Sequence, residues 1–326
     1  MEKRLVEIIR AALHYGVSDV YFTLKNDEVI IEMKIKNKLV NIKTKSNDES
    51  FFRYLQYRSN LDVGNITLPQ TGQFEIEIDK IMVSLRFASV NTYQLTTGVL
   101  RVLSNTNNYS VDDLCQSLQM IHYFRKIPLN KSGLFVFSGP TGSGKTTALY
   151  TILNEMKSKK IFTLEDPIEV YSQNYVQIQI NEKQHMDYAS GIKQLMRHAP
   201  DVIMIGEIRD EDAATMAVRC ALTGHLVLTS IHSSSCVLAI ERLVELGVQR
   251  NQLQDVLKGI TNQRLLLSTD KINKVAVYEK MDRKELVYYF ANKKLSEEFS
   301  SINEEVKKAL SKGIISYDDI QEEFDE

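Results

Sequence analysis

Leu5, Ile8, Ile9, Ala12 and Leu13 fall on one stripe of a 3.6-residue repeat, which predicts an amino-terminal helix ended by Gly16. The apolar period then shortens to two. Residues 29–35, 74–78 and 81–87 alternate apolar with polar side chains, separated by the turn formers Lys25-Asn26-Asp27 and Pro69-Gln70-Thr71-Gly72. Helix and alternating strands together predict a small α+β domain over residues 1–104. Ser104-Asn105-Thr106-Asn107-Asn108-Tyr109-Ser110 contains no aliphatic side chain, which predicts a linker, placed at 105–112. Beyond it the pattern changes again. Short apolar runs at 134–138, 160–165, 202–206 and 226–231 alternate with helical stretches, as buried parallel strands joined by crossover helices do. An α/β core over 113–269 is the expectation. From 270 the chain becomes more charged, and a helical stretch at 304–311 and an acidic end at 321–326 predict an accessory helical region with a solvated tail.

Composition narrows the classes. A chain of 326 residues, 43% hydrophobic and 25% charged, is neither disordered nor collagen-like. Forty Lys and Arg stand against 42 Asp and Glu, so the formal charge of -2 provides no global field for DNA or acidic lipid. No direct nucleic-acid partner is expected. Glu2, Lys3, Arg4, Glu7 and Arg10 break up the amino terminus and apolar runs are short, which argues against a membrane span or signal peptide. Cys115, Cys220 and Cys236 form no CxxC pair, so neither a disulfide framework nor a thiolate zinc site is expected, and a reducing cytosol fits.

Gly139-Pro140-Thr141-Gly142-Ser143-Gly144-Lys145-Thr146 matches G-x-x-x-x-G-K-[ST], between an apolar strand and a helix-competent stretch that begins at Thr147. Phosphate oxygens need several N–H donors converging on one spot, and glycines let backbone approach that closely. A helix amino terminus adds unpaired donors and partial positive charge. Lys145 is expected to reach the β- and γ-phosphates of ATP, and the Thr146 hydroxyl to ligate magnesium. A glycine-rich turn without a ligand is the competing reading.

Ligands of open parallel sheets bind beyond the carboxyl ends of the strands. Three runs end there in chargeable groups: one delivers Glu165-Asp166-Pro167-Ile168-Glu169, one Gly206-Glu207, one His232. Where a phosphate-loop enzyme usually has a magnesium-binding Asp, this chain has Gly206 and then Glu207, better placed to polarise water as a general base. Capping of the helix that starts near Asp210 is the competing role for Glu207. Asp166 is a candidate magnesium ligand and Glu169 a candidate catalytic group, although an Asp-Pro turn alone accounts for Asp166. His225 and His232 flank a six-residue strand of roughly 20 Å, too long for one ion to bridge. His232, at the phosphate end, is a candidate γ-phosphate contact, while His225 stands between interface and plain structure.

In order, the residues from Gly139 to Thr147, the stretch Thr163-Leu164-Glu165-Asp166-Pro167-Ile168-Glu169, residues 199–210 and residues 223–232 resemble four motifs of one superfamily. These are the Walker A, Asp box, Walker B and His box of the secretion and type IV pilus ATPases. Ser18-Asp19-Val20 and Pro69-Gln70-Thr71-Gly72-Gln73 are similar to that family's amino-terminal S-D-I-H and P-Q-D-G-R segments, so the resemblance covers most of residues 1–266. It implies a RecA-like phosphate-loop core, a smaller PAS-like amino-terminal domain, and a homohexamer whose neighbouring subunits supply arginine fingers. Arg86 and Arg101 stand where the family's two strand arginines fall. A solvated face is the alternative for them, and Tyr93-Gln94-Leu95-Thr96-Thr97-Gly98, where G-E is usual, departs from the pattern before the second. The chain lacks a tetracysteine motif after Gln263-Arg264-Leu265-Leu266 and the A-I-R-x-L helix of retraction motors, which leaves the short competence-pilus ATPases of Gram-positive bacteria. That subgroup implies a cytoplasmic motor, peripheral at the membrane, that hydrolyses ATP with magnesium to assemble a pseudopilus for DNA uptake. Its implied partners are an inner-membrane platform protein and, indirectly, major and minor pseudopilins. A secretion or pilus-retraction ATPase, a hexameric DNA translocase and a non-catalytic ATP-binding scaffold are the rival classes.

Overall fold

A computed structural model describes residues 1–25, 28–35, 38–64, 68–103, 109–180, 186–270 and 273–317. Residues 105–108 of the expected linker, Asn26 and Asp27 of the first turn and the acidic 321–326 lie outside the described residues. The chain divides into two compact units, Met1–Asn105 and Thr106–Glu326.

The first unit opens with α1 (Glu2–Tyr15), which buries Leu5, Ile8, Ile9 and Ala12 and is capped by Gly16 in the left-handed conformation. Leu13, counted in the apolar stripe, is instead half exposed at its edge. β1 (Asp19–Lys25), β2 (Glu28–Ile35), β3 (Lys38–Ile42), α2 (Asp48–Arg58), β4 (Gln70–Ile78), β5 (Ile81–Asn91) and β6 (Thr96–Val102) follow. Their strands make one antiparallel sheet in the order β3-β2-β1-β6-β5-β4. Alternate side chains, among them Phe22, Phe87 and Leu100, pack with Phe51, Phe52 and Leu55 of α2 and the stripe of α1 into one core. Gly98 makes room for this aromatic cluster. A Cβ there would lie 2.6 Å from Phe87 and 2.7 Å from Phe52.

The second unit runs α3 (Leu118–Lys126), β7 (Gly133–Ser138), α4 (Lys145–Asn154), β8 (Ile161–Glu165), β9 (Val176–Gln179), α5 (Tyr188–Leu195), β10 (Val202–Ile205) and α6 (Glu211–Leu222). It continues with β11 (Leu226–Ile231), α7 (Cys236–Glu245), α8 (Arg250–Val256), β12 (Leu257–Leu267), β13 (Lys274–Asp282), α9 (Arg283–Asn292) and α10 (Ile302–Ser311). The sheet order is β13-β12-β7-β11-β10-β8-β9, parallel throughout except for β13. Strands buried on both faces explain the unbroken apolar runs: Leu134 and Val136 join one core with α6, α7 and α8, while Phe135 and Phe137 join another with α3 and α4. From β7 the chain crosses two strands to β8, returns through β10 and β11, then places β12 on the far side of β7. The carboxyl end of β7 is therefore the crevice where open sheets of this kind bind ligands.

The charged region after 270 carries helices α9 and α10, but β13 precedes them and pairs with β12 from Gly259↔Asp282 to Leu267↔Lys274. Charge hides this strand in the sequence. Its Glu279 is only 2% exposed because it accepts the Cys236 backbone N–H at 2.6 Å and the Ile302 backbone N–H at 2.8 Å, satisfying the first turns of α7 and α10.

Candidate functional site

The phosphate loop leaves β7 and enters α4 through three glycines at positive φ, 144° at Gly139, 78° at Gly142 and 89° at Gly144. Such angles strain any residue with a Cβ. Gly139 is also needed for space, since a Cβ there would lie 2.6 Å from the Gln263 backbone carbonyl, whereas one on Gly144 would meet only the end of the Gln263 side chain, 2.8 Å away at Nε2. Pro140, Thr141 and Gly142 face outward, Ser143 and Lys145 are buried, and Thr146 and Thr147 are half-buried in the first turn of α4. Lys145 Nζ donates to the Gly139 and Pro140 carbonyls, each at 2.9 Å, and burial holds its ammonium down to about 8, with Glu169 opposing and Arg264 adding to the depression. The buried Ser143 hydroxyl has no hydrogen-bond partner. A glycine-rich loop with an exposed tip, a helix start, one buried lysine and an unsatisfied hydroxyl fits a nucleotide's phosphate chain.

Glu207 follows β10 and sits between strands on either side. The Gly206 N–H bonds the Leu164 carbonyl at 2.8 Å, the Ile208 N–H bonds the Ser230 carbonyl at 2.9 Å, and Ser230 Oγ bonds the Gly206 carbonyl at 2.7 Å. The largely shielded Glu207 carboxylate meets His232 Nε2 at 3.2 Å through Oε2 and an Arg209 guanidinium nitrogen through Oε1. It does not cap α6. That role falls to Asp210, which accepts the Ala213 N–H at 2.8 Å. Burial lowers the His232 value, Lys145 and Arg209 push it further down, and a hydrogen bond with the Gly139 backbone opposes them. Glu207, His232 and the Lys145 loop are thus brought together.

Asp166 is exposed, 3.4 Å from Arg209, which bridges it to Glu207. Glu169 is also exposed and acts on Lys145 electrostatically. His225 lies at the other end of β11, where Nδ1 is 3.2 Å from both the Cys220 carbonyl and Thr223 Oγ1, closing the turn out of α6. Arg86 and Arg101 are direct cross-strand partners on the face of the first unit's sheet away from its core, and Arg101 Nε binds Asp19 Oδ1 at 2.6 Å. Two like charges opposite each other repel, and Asp19 offsets this.

Sequence reasoning passed over Arg209, which reads as a solvated loop residue, and Tyr150, which reads as core. Tyr150 donates to both oxygens of Glu165 at 2.6 and 2.7 Å, and Thr163 Oγ1 donates to the same carboxylate at 2.6 Å. Burial raises the Glu165 value despite these donors. Glu165 therefore anchors α4 to β8 and leaves Asp166 and Glu169 as the groups that β8 presents outward.

The type II/IV secretion system protein family matches residues 1–308. The competence protein ComGA of Bacillus subtilis is 34% identical over 271 residues, 82% of this chain and 76% of that protein. The ComGA protein of Streptococcus pneumoniae is 33% identical, covering 80% of this chain and 83% of its own length. Among solved structures, the pilus retraction motor PilT with bound ADP superposes with a TM-score of 0.77 at 23% identity, over 98% of this chain and 97% of that one. The Legionella pneumophila ATPase DotB gives 0.74 at 20% identity, over 96% and 93%. With a phosphate loop at the switch point of its sheet and a match running through both units, this chain belongs to the type II/IV secretion system protein family and is an ATPase.

Proposed function

We propose that the chain works as a homohexameric motor that hydrolyses ATP to assemble a competence pseudopilus for DNA uptake. The observation that carries the reading is the meeting of Glu207, His232 and the Lys145 loop at the carboxyl ends of neighbouring parallel strands. In the proposed step the loop amides and Lys145 hold the triphosphate, and Glu207 takes a proton from water as its oxygen bonds the γ-phosphorus and the bond to ADP breaks. His232 orients Glu207 and lies toward the γ-phosphate. Thr146 is the residue to hold magnesium, with Asp166 and Glu169 facing the same edge; the metal supplies charge neutralisation across the phosphates. Arg86 and Arg101 act in trans as fingers for a neighbouring subunit's nucleotide. Movement of one unit against the other then drives an inner-membrane platform protein, and through it the pseudopilins. The names of the ComGA relatives favour competence as the setting. Among the described residues no helix is long and apolar enough to cross a membrane, which suits a cytoplasmic motor docked at the membrane face.

A three-variant series tests this reading on the assembled protein. Lys145→Ala is expected to lose nucleotide binding. Glu207→Gln keeps binding and loses turnover by about a hundredfold or more, the scale of a general base. Arg86→Ala binds normally and hydrolyses slowly. Normal hydrolysis by Glu207→Gln would remove the assigned base, and normal hydrolysis by Arg86→Ala the finger.

A further inference from the structure

Asn262 makes contacts that the chemistry above does not use. It lies on β12, fully buried, with both ends of its amide engaged. Nδ2 donates to Ser138 Oγ at 2.8 Å and to the Ser233 carbonyl at 2.9 Å, while Oδ1 accepts from Arg264 Nη1 at 2.8 Å. Ser138 Oγ donates onward to the Thr261 carbonyl at 3.0 Å, and Arg264 Nη2 to the Ser234 carbonyl at 3.3 Å. Ser138 is the last residue of β7 and abuts Gly139; Ser233 and Ser234 directly follow His232. Because β12 and β11 flank β7 on opposite sides, this one amide reaches across the root of the phosphate loop to hold the segment that carries His232. A buried amide is unfavourable unless its hydrogen bonds are made, so an apolar residue would serve packing alone at least as well.

We propose that Asn262 is a positioning residue for ATP hydrolysis, a strap that fixes His232, and through it Glu207, relative to the phosphate loop. The inference rests on the reading that His232 and Glu207 form the hydrolytic site. Asn262→Asp is nearly isosteric and keeps an acceptor for Arg264, but turns oxygen lone pairs toward the Ser233 carbonyl. In the intact, assembled protein it is expected to lower kcat about tenfold while KM for ATP shifts less than about threefold, because nucleotide binding depends on the loop and turnover on the aim of the base. In a His232→Ala background the same substitution is expected to cost less than about twofold, since the strap then has nothing to aim. A general loss of packing would act equally in both backgrounds. Unchanged kcat, or an equal loss with and without His232, overturns the proposal. Should Asn262→Asp fail to fold, Ser138→Ala removes one arm of the strap and keeps the amide; it is read in the same cycle, with about threefold expected and the same two outcomes against. Failure of the underlying reading is a separate result, normal turnover by Glu207→Gln, whatever happens at Asn262.

Discussion

Lys145 concentrates the electrostatics of the site. Its ammonium has three hydrogens, and two are directed at the Gly139 and Pro140 carbonyls, leaving one for a phosphate oxygen without unmaking the loop. Burial places its value at about 8 against an ordinary 10.5. Between those values the unfolded chain keeps a proton that the folded chain has released, so rising pH through the window favours folding at this residue. Nucleotide binding has the opposite sign, because phosphate recruits the charged ammonium. Above about pH 8, binding of a non-hydrolysable ATP analogue should take up a fraction of a proton that grows with pH and weaken accordingly. Calorimetry in buffers of different ionisation enthalpy reads that uptake, and its absence would count against a buried lysine facing phosphate.

At the scale of elements, the two sheets differ in what they demand of their strands. In the first unit every strand but the exposed β3 buries one face, and Gly98 is the point where a side chain would collide with the rings that fill the core. Gly98→Ala should destabilise that unit by about 1–3 kcal/mol through overpacking, read as a lower denaturation midpoint. A midpoint equal to wild type would mean the rings have room to move. Much of this architecture is legible in the sequence where one physical rule dominates. The stripe of α1, the doubly buried β7, β10 and β11, and the glycines of the phosphate loop each carry a period or spacing that has few other uses. Legibility stops where long-range partners rewrite local preference. Thr261, Asn262, Gln263 and Arg264 give β12 a polar stretch that reads as loop, yet Asn262 is buried because Ser138 and Ser233, more than a hundred and nearly thirty residues away, accept its hydrogens. Glu207 could be placed from its position after an apolar strand; the Arg209 bridge to Asp166 could not, since it depends on how two loops fold toward each other.

For the molecule as a whole, the sheet order sets β12, β7, β11 and β10 side by side, so that the phosphate loop, His232, Glu207 and the Asn262 amide come to one end of the sheet although Ser138 and Asn262 are more than a hundred residues apart. Glu279 extends this connection to the carboxyl-terminal helices. One carboxylate serves the first turns of both α7 and α10, so neither helix start can be released without leaving a buried oxygen unmatched. Local fraying of α10 is thereby discouraged, and the two helix starts behave as a single cooperative block. Native-state hydrogen exchange should find the Cys236 and Ile302 amides opening with the same free energy, and Glu279→Gln should let the Ile302 amide exchange at a lower one than its distant counterpart.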